Sequence, residues 1–246
     1  MATPTIANTV SSSYINDSSA ASSTRTFGGT THTSSGGSDR CMISIISWRS
    51  SSSAERTLTS LTWNTVSGTI LVQEGPTSSN SIGLALVKWD NPAASTASAW
   101  SAVFNLAVND TQIWAYNVEG VDTALIEADD YAYGLLDDGV GSTSPSVTLV
   151  PDTTDTLIIY GAAIVPSATM TANAPLSEDD ERTGATNALR THICSGVSSS
   201  SGSQSVGSTL SVAKEWITVG IALPGATGGG GIVIPVFMNQ YRQRWN

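Results

Sequence analysis

Few side chains in this sequence are equipped for chemistry, and their spacing limits what they can do. There are two histidines, His32 and His192. A metal site built on both needs carboxylates close by, and no spacing supplies them. His192 reads instead as a strand-paired or surface histidine. Ser211-Val212-Ala213-Lys214 matches the S-x-x-K pattern of acyl-transfer serines. It falls in or beside an expected strand and opens no helix, and so short a pattern recurs by chance in a Ser-rich chain.

Three acidic clusters follow: Asp129-Asp130, Asp137-Asp138-Gly139 and Glu178-Asp179-Asp180-Glu181. Hard oxygen ligands close together can hold Ca²⁺. None has the D-x-[DN]-x-[DN]-G spacing, so they read as solvated loops carrying the negative charge. A glycosidase pair needs two carboxylates about 5–10 Å apart across a cleft, and short sandwich loops leave little cleft. G-x-S-x-G, P-loop, HExxH and CxxC patterns are absent from the sequence. The expectation is a protein that is not an enzyme, with no catalytic residue, metal or cofactor.

Binding chemistry concentrates elsewhere. Gly228-Gly229-Gly230-Gly231 precedes the stretch from Ile232 to Asn246. Four glycines make a flexible spacer, because no Cβ restricts their backbone. The arm beyond it is apolar and β-prone, with Ile232, Ile234, Val236 and Phe237 able to present apolar contacts. Pro235 lacks an N–H and limits pairing to an edge or a break. Tyr241, Arg242, Arg244 and Trp245 are of the types enriched at interface hot spots. These eight residues, Pro235 aside, are the expected partner-binding set. A terminal strand folded back on its own domain is the plainer alternative.

The rest of the chain must position that arm. At 246 residues it is long enough to bury a core without disulfides or metals. Only 12% of residues are charged, and small polar residues dominate, which suits strands and turns. A net charge of −10 argues against a nucleic-acid partner, which needs a Lys/Arg surface. No apolar run is long enough to span a membrane, and no N-terminal apolar segment suggests a secretion signal, so the product is expected to be made in a cytoplasm and to stay there or leave by another route such as lysis. Spacing does not fix whether Cys41 and Cys194 pair. Free cysteine favours burial, and two buried thiols are the expectation.

Along the chain, residues 1–38 form a Ser/Thr/Gly-rich segment with an edge strand expected between Thr5 and Tyr14. Cys41 to Trp48 is a short apolar run of the kind found in central strands. Further strands are expected at Leu58–Trp63, Thr69–Gln73, Ile82–Trp89, Gln112–Val118, Ser146–Val150, Thr156–Val165, Thr191–Ser195, Thr209–Val212 and Trp216–Leu223. Between Ala99 and Val108 the period is two, with Trp100, Ala102, Phe104, Leu106 and Val108 on one face. Short helices are expected around Thr123–Ala128 and Glu178–Leu189. Trp48, Trp63, Trp89, Trp100, Trp114 and Trp216 fall in or at the ends of strands and read as core, although an exposed aromatic row would stack on sugars. The fold class is all-β: a single antiparallel β-sandwich, jelly-roll-like, over residues 39–227, with extended N- and C-terminal segments and the linker and arm at 228–246.

From Thr26 to Pro224 the order of motifs resembles a β-sandwich module of tailed-phage virion proteins and bacterial surface proteins. The matching elements are a strand ending in Trp (Arg40 to Trp48), Leu61-Thr62-Trp63-Asn64, and an aliphatic strand running into a Pro turn (Leu84 to Pro92). Then come the alternating strand Trp100 to Val108, a strand ending Gly-Val-Asp (Ile113 to Asp122), and Trp216 to Pro224. The segment Glu127 to Ser144 is longer than the module's usual connection. The resemblance implies a virion structural protein that decorates or cements a capsid and joins neighbours through its arms. Other virion proteins (major capsid or tail proteins) would be its partners, and a homo-oligomer is expected. The alternative is a tail-fibre receptor-binding module that contacts surface glycan.

Overall fold

The computed structural model describes residues 3–8, 15–17, 21–34, 39–50, 54–75, 82–94, 97–165, 167–184 and 189–226. In chain order the strands are β1 (Thr5–Asn8), β2 (Ile15–Asp17), β3 (Ser22–Thr33), β4 (Cys41–Arg49), β5 (Leu58–Trp63), β6 (Val66–Ser67), β7 (Thr69–Glu74), β8 (Ile82–Asp90) and β9 (Ala97–Val108). They continue as β10 (Asp110–Glu119), β11 (Tyr131–Leu136), β12 (Ser146–Leu149), β13 (Thr156–Ile164), β14 (Met170–Ala172), β15 (Ser177–Thr183), β16 (Arg190–Ser198), β17 (Gln204–Leu210) and β18 (Trp216–Leu223). Every strand pairing is antiparallel.

Four strands explain the layering. β4, β8, β13 and β18 are buried along almost their whole length. A strand covered on one face alternates; one covered on both faces becomes a near-continuous apolar run. The sequences CMISIISWR, IGLALVKWD, TLIIYGAAI and WITVGIAL are such runs. Their sheets, β1-β10-β4-β8-β7 and β11-β18-β13-β16-β15, are therefore inner layers. The sheet β3-β9-β5-β6 covers the first and β12-β17-β14 covers the second.

Three cores fill the gaps. The middle one packs Ile43, Ile45, Leu84 and Trp114 of the first inner sheet against Ile159, Ile193, Val219 and Ile221 of the second. The first outer core is aromatic, with Phe27, Trp48, Trp63, Trp89, Trp100 and Phe104. The second holds smaller side chains, including Val147, Leu149, Ala162, Met170 and Val206, with Tyr160 and Cys194.

The expected antiparallel, jelly-roll-like sandwich forms, and it forms twice. With β2 and the two-residue β6 left out and β1 or β11 counted as the first strand, both halves place strands one, eight, three, six and five in the inner sheet. Strands two, seven and four make the outer sheet. The two halves thus share one jelly-roll-like strand order. The inner sheets meet face to face, with β11 over β7 and β18 over β8. At the other side, β15 lies over β10, where Trp114 and Tyr116 donate to its carboxylates. Strands β1, β2 and β3 all pair within the first half, so Thr5–Asn8, Ile15–Asp17 and Ser22–Thr33 are part of its sheets.

Three local expectations are corrected. Where a helix is expected from Glu178 to Leu189, Ser177–Thr183 is the edge strand β15, and its acidic side chains find donors across the interface that a lone helix would not offer. Around Thr123 there is a single 3₁₀ turn, Thr123–Leu125, capped by the Asp122 carboxylate accepting from Ala124 N at 3.2 Å. Leu106 is exposed, unlike its expected face-mates; the ladder between β3 and β9 shifts register between Val103 and Val108, which breaks the period of two there.

Candidate functional site

The expected arm residues, Ile232, Ile234, Val236, Phe237, Tyr241, Arg242, Arg244 and Trp245, lie outside the described residues. The root of the arm is described. Gly225 bridges to Val121, Ala226 N donates to Gly120 O at 2.7 Å, and Asp122 N donates to Pro224 O at 3.2 Å. The chain therefore leaves the body tied to the end of β10.

The six strand tryptophans are all buried. Trp100 lies between Trp89 (centroids 5.2 Å apart) and Trp63 (6.2 Å). Trp48 lies over its register partner Gly83, where an added Cβ would come within 2.2 Å of the ring. None of these rings forms a sugar platform. Ser211 is exposed, and its hydroxyl accepts from Thr169 N, so it caps a turn. Lys214 exchanges backbone hydrogen bonds with Ser142. Cys41 and Cys194 are free and buried, in different cores. Burial pushes the Cys41 thiol up to about 12 and raises that of Cys194 as well.

The acidic clusters keep Asp129, Asp138, Glu178 and Asp179 exposed and use several carboxylates as local hydrogen-bond acceptors. Asp138 accepts from Val140 N and Gly141 N, which lowers its pKa. Asp130 is buried and accepts from Glu127 N at 2.9 Å. Burial is the main cause that lifts its carboxyl to about 6, with the charges of Asp129, Asp152 and Glu127 adding to it. It lines a cavity of about 130 Å³ with Leu125, Pro151, Thr156 and Pro224. On β15, Asp179 accepts from Tyr116 OH at 2.7 Å and Asp180 from Trp114 Nε1 at 3.1 Å. A bulge between Glu178 and Asp180 lets these neighbours reach the same inner sheet. Among the described residues no group of three His, Cys, Asp or Glu is placed to hold a metal ion.

One constellation escaped the sequence. Glu178, His192 and Ser208 come together across β15, β16 and β17. His192 Nε2 is 3.3 Å from Glu178 Oε2, and Nδ1 is 3.3 Å from Ser208 Oγ. The Ser208 hydroxyl donates to Tyr160 OH at 3.2 Å, and Tyr160 OH donates to Pro145 O at 3.1 Å. The order acid–imidazole–hydroxyl is that of acyl-transfer triads. A nucleophile must meet its substrate, however, and His192, Ser208 and Tyr160 are all 0% exposed. The single Ser208 proton also has two acceptors in reach. Burial depresses the His192 pKa, against the pull of Glu178, Glu181 and Asp179. The chain of bonds satisfies polar groups inside a core. No signal at positions 178, 192 and 208 announces it, because register between strands is invisible in one sequence.

The sheet edges differ in a way that bears on binding. β15 ends one inner sheet and carries Glu178, Asp179, Asp180 and Glu181, the kind of charge that blunts an edge. At the other end of that sheet, β11 (YAYGLL) has no charge, and Tyr133 (48%) and Leu135 (38%) are exposed.

No family model, no curated protein and no solved structure matches this chain.

Proposed function

We propose that this protein is a structural component of a tailed-phage virion, a capsid decoration or cement protein that joins neighbours through its terminal arm. The observation that carries the reading is the tandem pair of jelly-roll-like sandwiches. That architecture is shared by viral capsid and lectin domains, and here every strand tryptophan serves as core and none as a sugar-stacking surface. The burial of Ser208 and His192 fits a protein whose work is assembly. No helix of the described residues is long and apolar enough to cross a membrane, and the net charge of −10 disfavours a nucleic-acid partner.

Attachment would run through burial of Ile232, Ile234, Val236 and Phe237, with Tyr241 and Trp245 as anchors. Arg242 and Arg244 would orient the tip toward an acidic surface. The partners are a major capsid or tail protein and further copies of this chain. The test is co-sedimentation with particles that lack the protein. A chain ending at Gly228 should remain folded and fail to bind, whereas undiminished binding would move attachment to the sandwich faces. Copy number per virion separates decoration, in the hundreds, from a tail fibre, in a handful. A handful together with glycan binding would replace this reading by the receptor-binding one.

A further inference from the structure

The arm needs an acceptor, and the edge of β11 has the properties of one. Ala222 N donates to Asp130 O, which makes 130/222 a hydrogen-bonded pair of the antiparallel ladder with β18. By alternation 132/220, 134/218 and 136/216 are bonded pairs too. Tyr131, Tyr133 and Leu135 therefore turn their backbone N–H and C=O groups outward. Their side chains share the face of their register partners Ile221, Val219 and Ile217, which belong to the middle core. Tyr131 packs on that core, while Tyr133 and Leu135 stay exposed. An added strand would bond to the backbone and extend the middle core over those two side chains.

Other edges fit less well. β15 presents four carboxylates, β7 ends in Glu74, and the apolar residues of β12 and β14, Val147, Leu149 and Met170, are already buried.

We propose that the outer edge of β11 receives residues Ile232–Phe237 of a second copy of this chain, antiparallel and in one register. The inference rests on the arm-mediated assembly proposed above and names the surface that receives the arm. Pro235 sets the register. It has no N–H, so it must sit where the new strand bonds outward. That requires Ile232, Ile234 and Val236 to face Leu135, Tyr133 and Tyr131, which places apolar side chains beside apolar side chains on one face. The same direction carries the tip past Tyr131 toward Glu127, Asp129, Asp130 and Asp152, which line or adjoin one cavity. Arg242 and Arg244 complement that charge, and the arm has no acid of its own.

Reach selects a second copy. The arm is rooted at Gly120, at the end of β10. β10 lies three strand spacings from β7, over which β11 is stacked. Going from there to a position outside β11 means about four strand spacings, one sheet spacing and the four-residue rise from Tyr131 to Leu135, roughly 26 Å in a straight line. Six fully extended links from Ala226 to Ile232 span at most about 21 Å. The chain's own arm falls short of the antiparallel start.

Paired cysteines test this in full-length protein. Directly opposed residues of a hydrogen-bonded pair lie about 5.5 Å apart, within disulfide range. One chain carries Tyr133→Cys and another, of distinguishable size, carries Ile234→Cys. Mixed under mild oxidation, the two should give a disulfide-linked heterodimer. Replacing Ile234→Cys by Val233→Cys, which puts the thiol on the opposite face, should abolish it. Tyr133 is half exposed, so its replacement leaves the fold intact, which melting of each variant verifies. Equal crosslinking from 233 and 234 would overturn the register. A doubly substituted chain that closes only on itself would overturn the second copy. No crosslink at all would overturn β11 as acceptor. If a chain ending at Gly228 then still failed to join particles, the arm's role in assembly would stand without this acceptor. Undiminished binding by that chain would remove the arm's role as well.

Discussion

The two outer cores sit on the same strand order and are filled in opposite ways. Between β4, β8 and β9 the first sandwich packs aromatic bulk: Trp48 against Phe104 at 5.3 Å, and Trp100 between Trp63 and Trp89. At the equivalent level of the second, between β13, β16 and β17, stand Tyr160, His192, Cys194 and Ser208 in a run of hydrogen bonds. One topology is thus compatible with a dry aromatic core and with a polar network. What the halves share is strand order and a doubly buried inner sheet. The choice of core side chains is free within the volume available.

The difference predicts where each half is fragile. Trp100→Ala leaves a large void among rings and should lower stability by about 3–5 kcal/mol, measured by denaturant unfolding. A loss below about 0.5 kcal/mol, with weakened glycan binding, would contradict burial and favour a sugar platform. In the second half the matched change is Tyr160→Phe, which keeps the ring and removes the donor to Pro145 O. It should cost about 0.5–1.5 kcal/mol, the net worth of one hydrogen bond, because Pro145 O keeps its bond from Ser208 N. A cost as large as that of Trp100→Ala would mean that the two cores are held by the same kind of force.

Proton linkage should belong to the second half. The folded protein holds the His192 pKa below its ordinary 6.5, so the unfolded chain binds that proton more readily. Stability is then full above pH 6.5 and declines as pH falls below it. Asp130 is shifted upward, from 3.8 to about 6. Its contribution is full below pH 3.8 and is lost as pH rises through 6. Asp130→Asn should therefore raise the melting temperature at pH 7 and leave it nearly unchanged at pH 3.5. His192→Gln should flatten the acid limb. Melting curves from pH 3.5 to 8 check both, and an unchanged pH profile in both variants would place the linkage elsewhere. The smallest effect concerns the seam between the halves. Ser47 Oγ and Thr191 Oγ1 lie 2.8 Å apart there, and Ser47→Ala should cost about 1 kcal/mol. A much larger loss would show that the halves depend on each other more than their separate cores suggest.

Much of the fold was legible because burial writes itself into composition. The runs at Cys41–Trp48, Ile82–Trp89, Thr156–Ile164 and Trp216–Leu223 announce strands covered on both faces, and the tryptophans announce core. The doubling was hidden. The repeats share strand order and no residue pattern, so an aromatic strand such as β9 and a Ser-rich one such as β17 look unrelated. β15 was misread because a charged run with helix-forming residues satisfies local preference, while its hydrogen bonds to Trp114 and Tyr116 come from more than sixty positions away. The Glu178–His192–Ser208 grouping depends on register across three strands, which no local pattern encodes. The β11 edge is hidden for a related reason: Tyr131–Leu136 falls in the stretch Glu127 to Ser144 that reads as a connection, and its pairing partner β18 lies eighty or more positions away.

The root of the arm also decides how the protein answers a pull. Tension applied along the arm first meets the Ala226–Gly120 and Asp122–Pro224 hydrogen bonds, two links that yield early and lengthen the tether. The next element in line is β18, bonded to β11 on one side and β13 on the other. A load directed along that strand strains both ladders in shear, so all their bonds resist together and none is peeled singly. A short compliant fuse in series with a stiff central strand would lengthen the tether before the body unfolds.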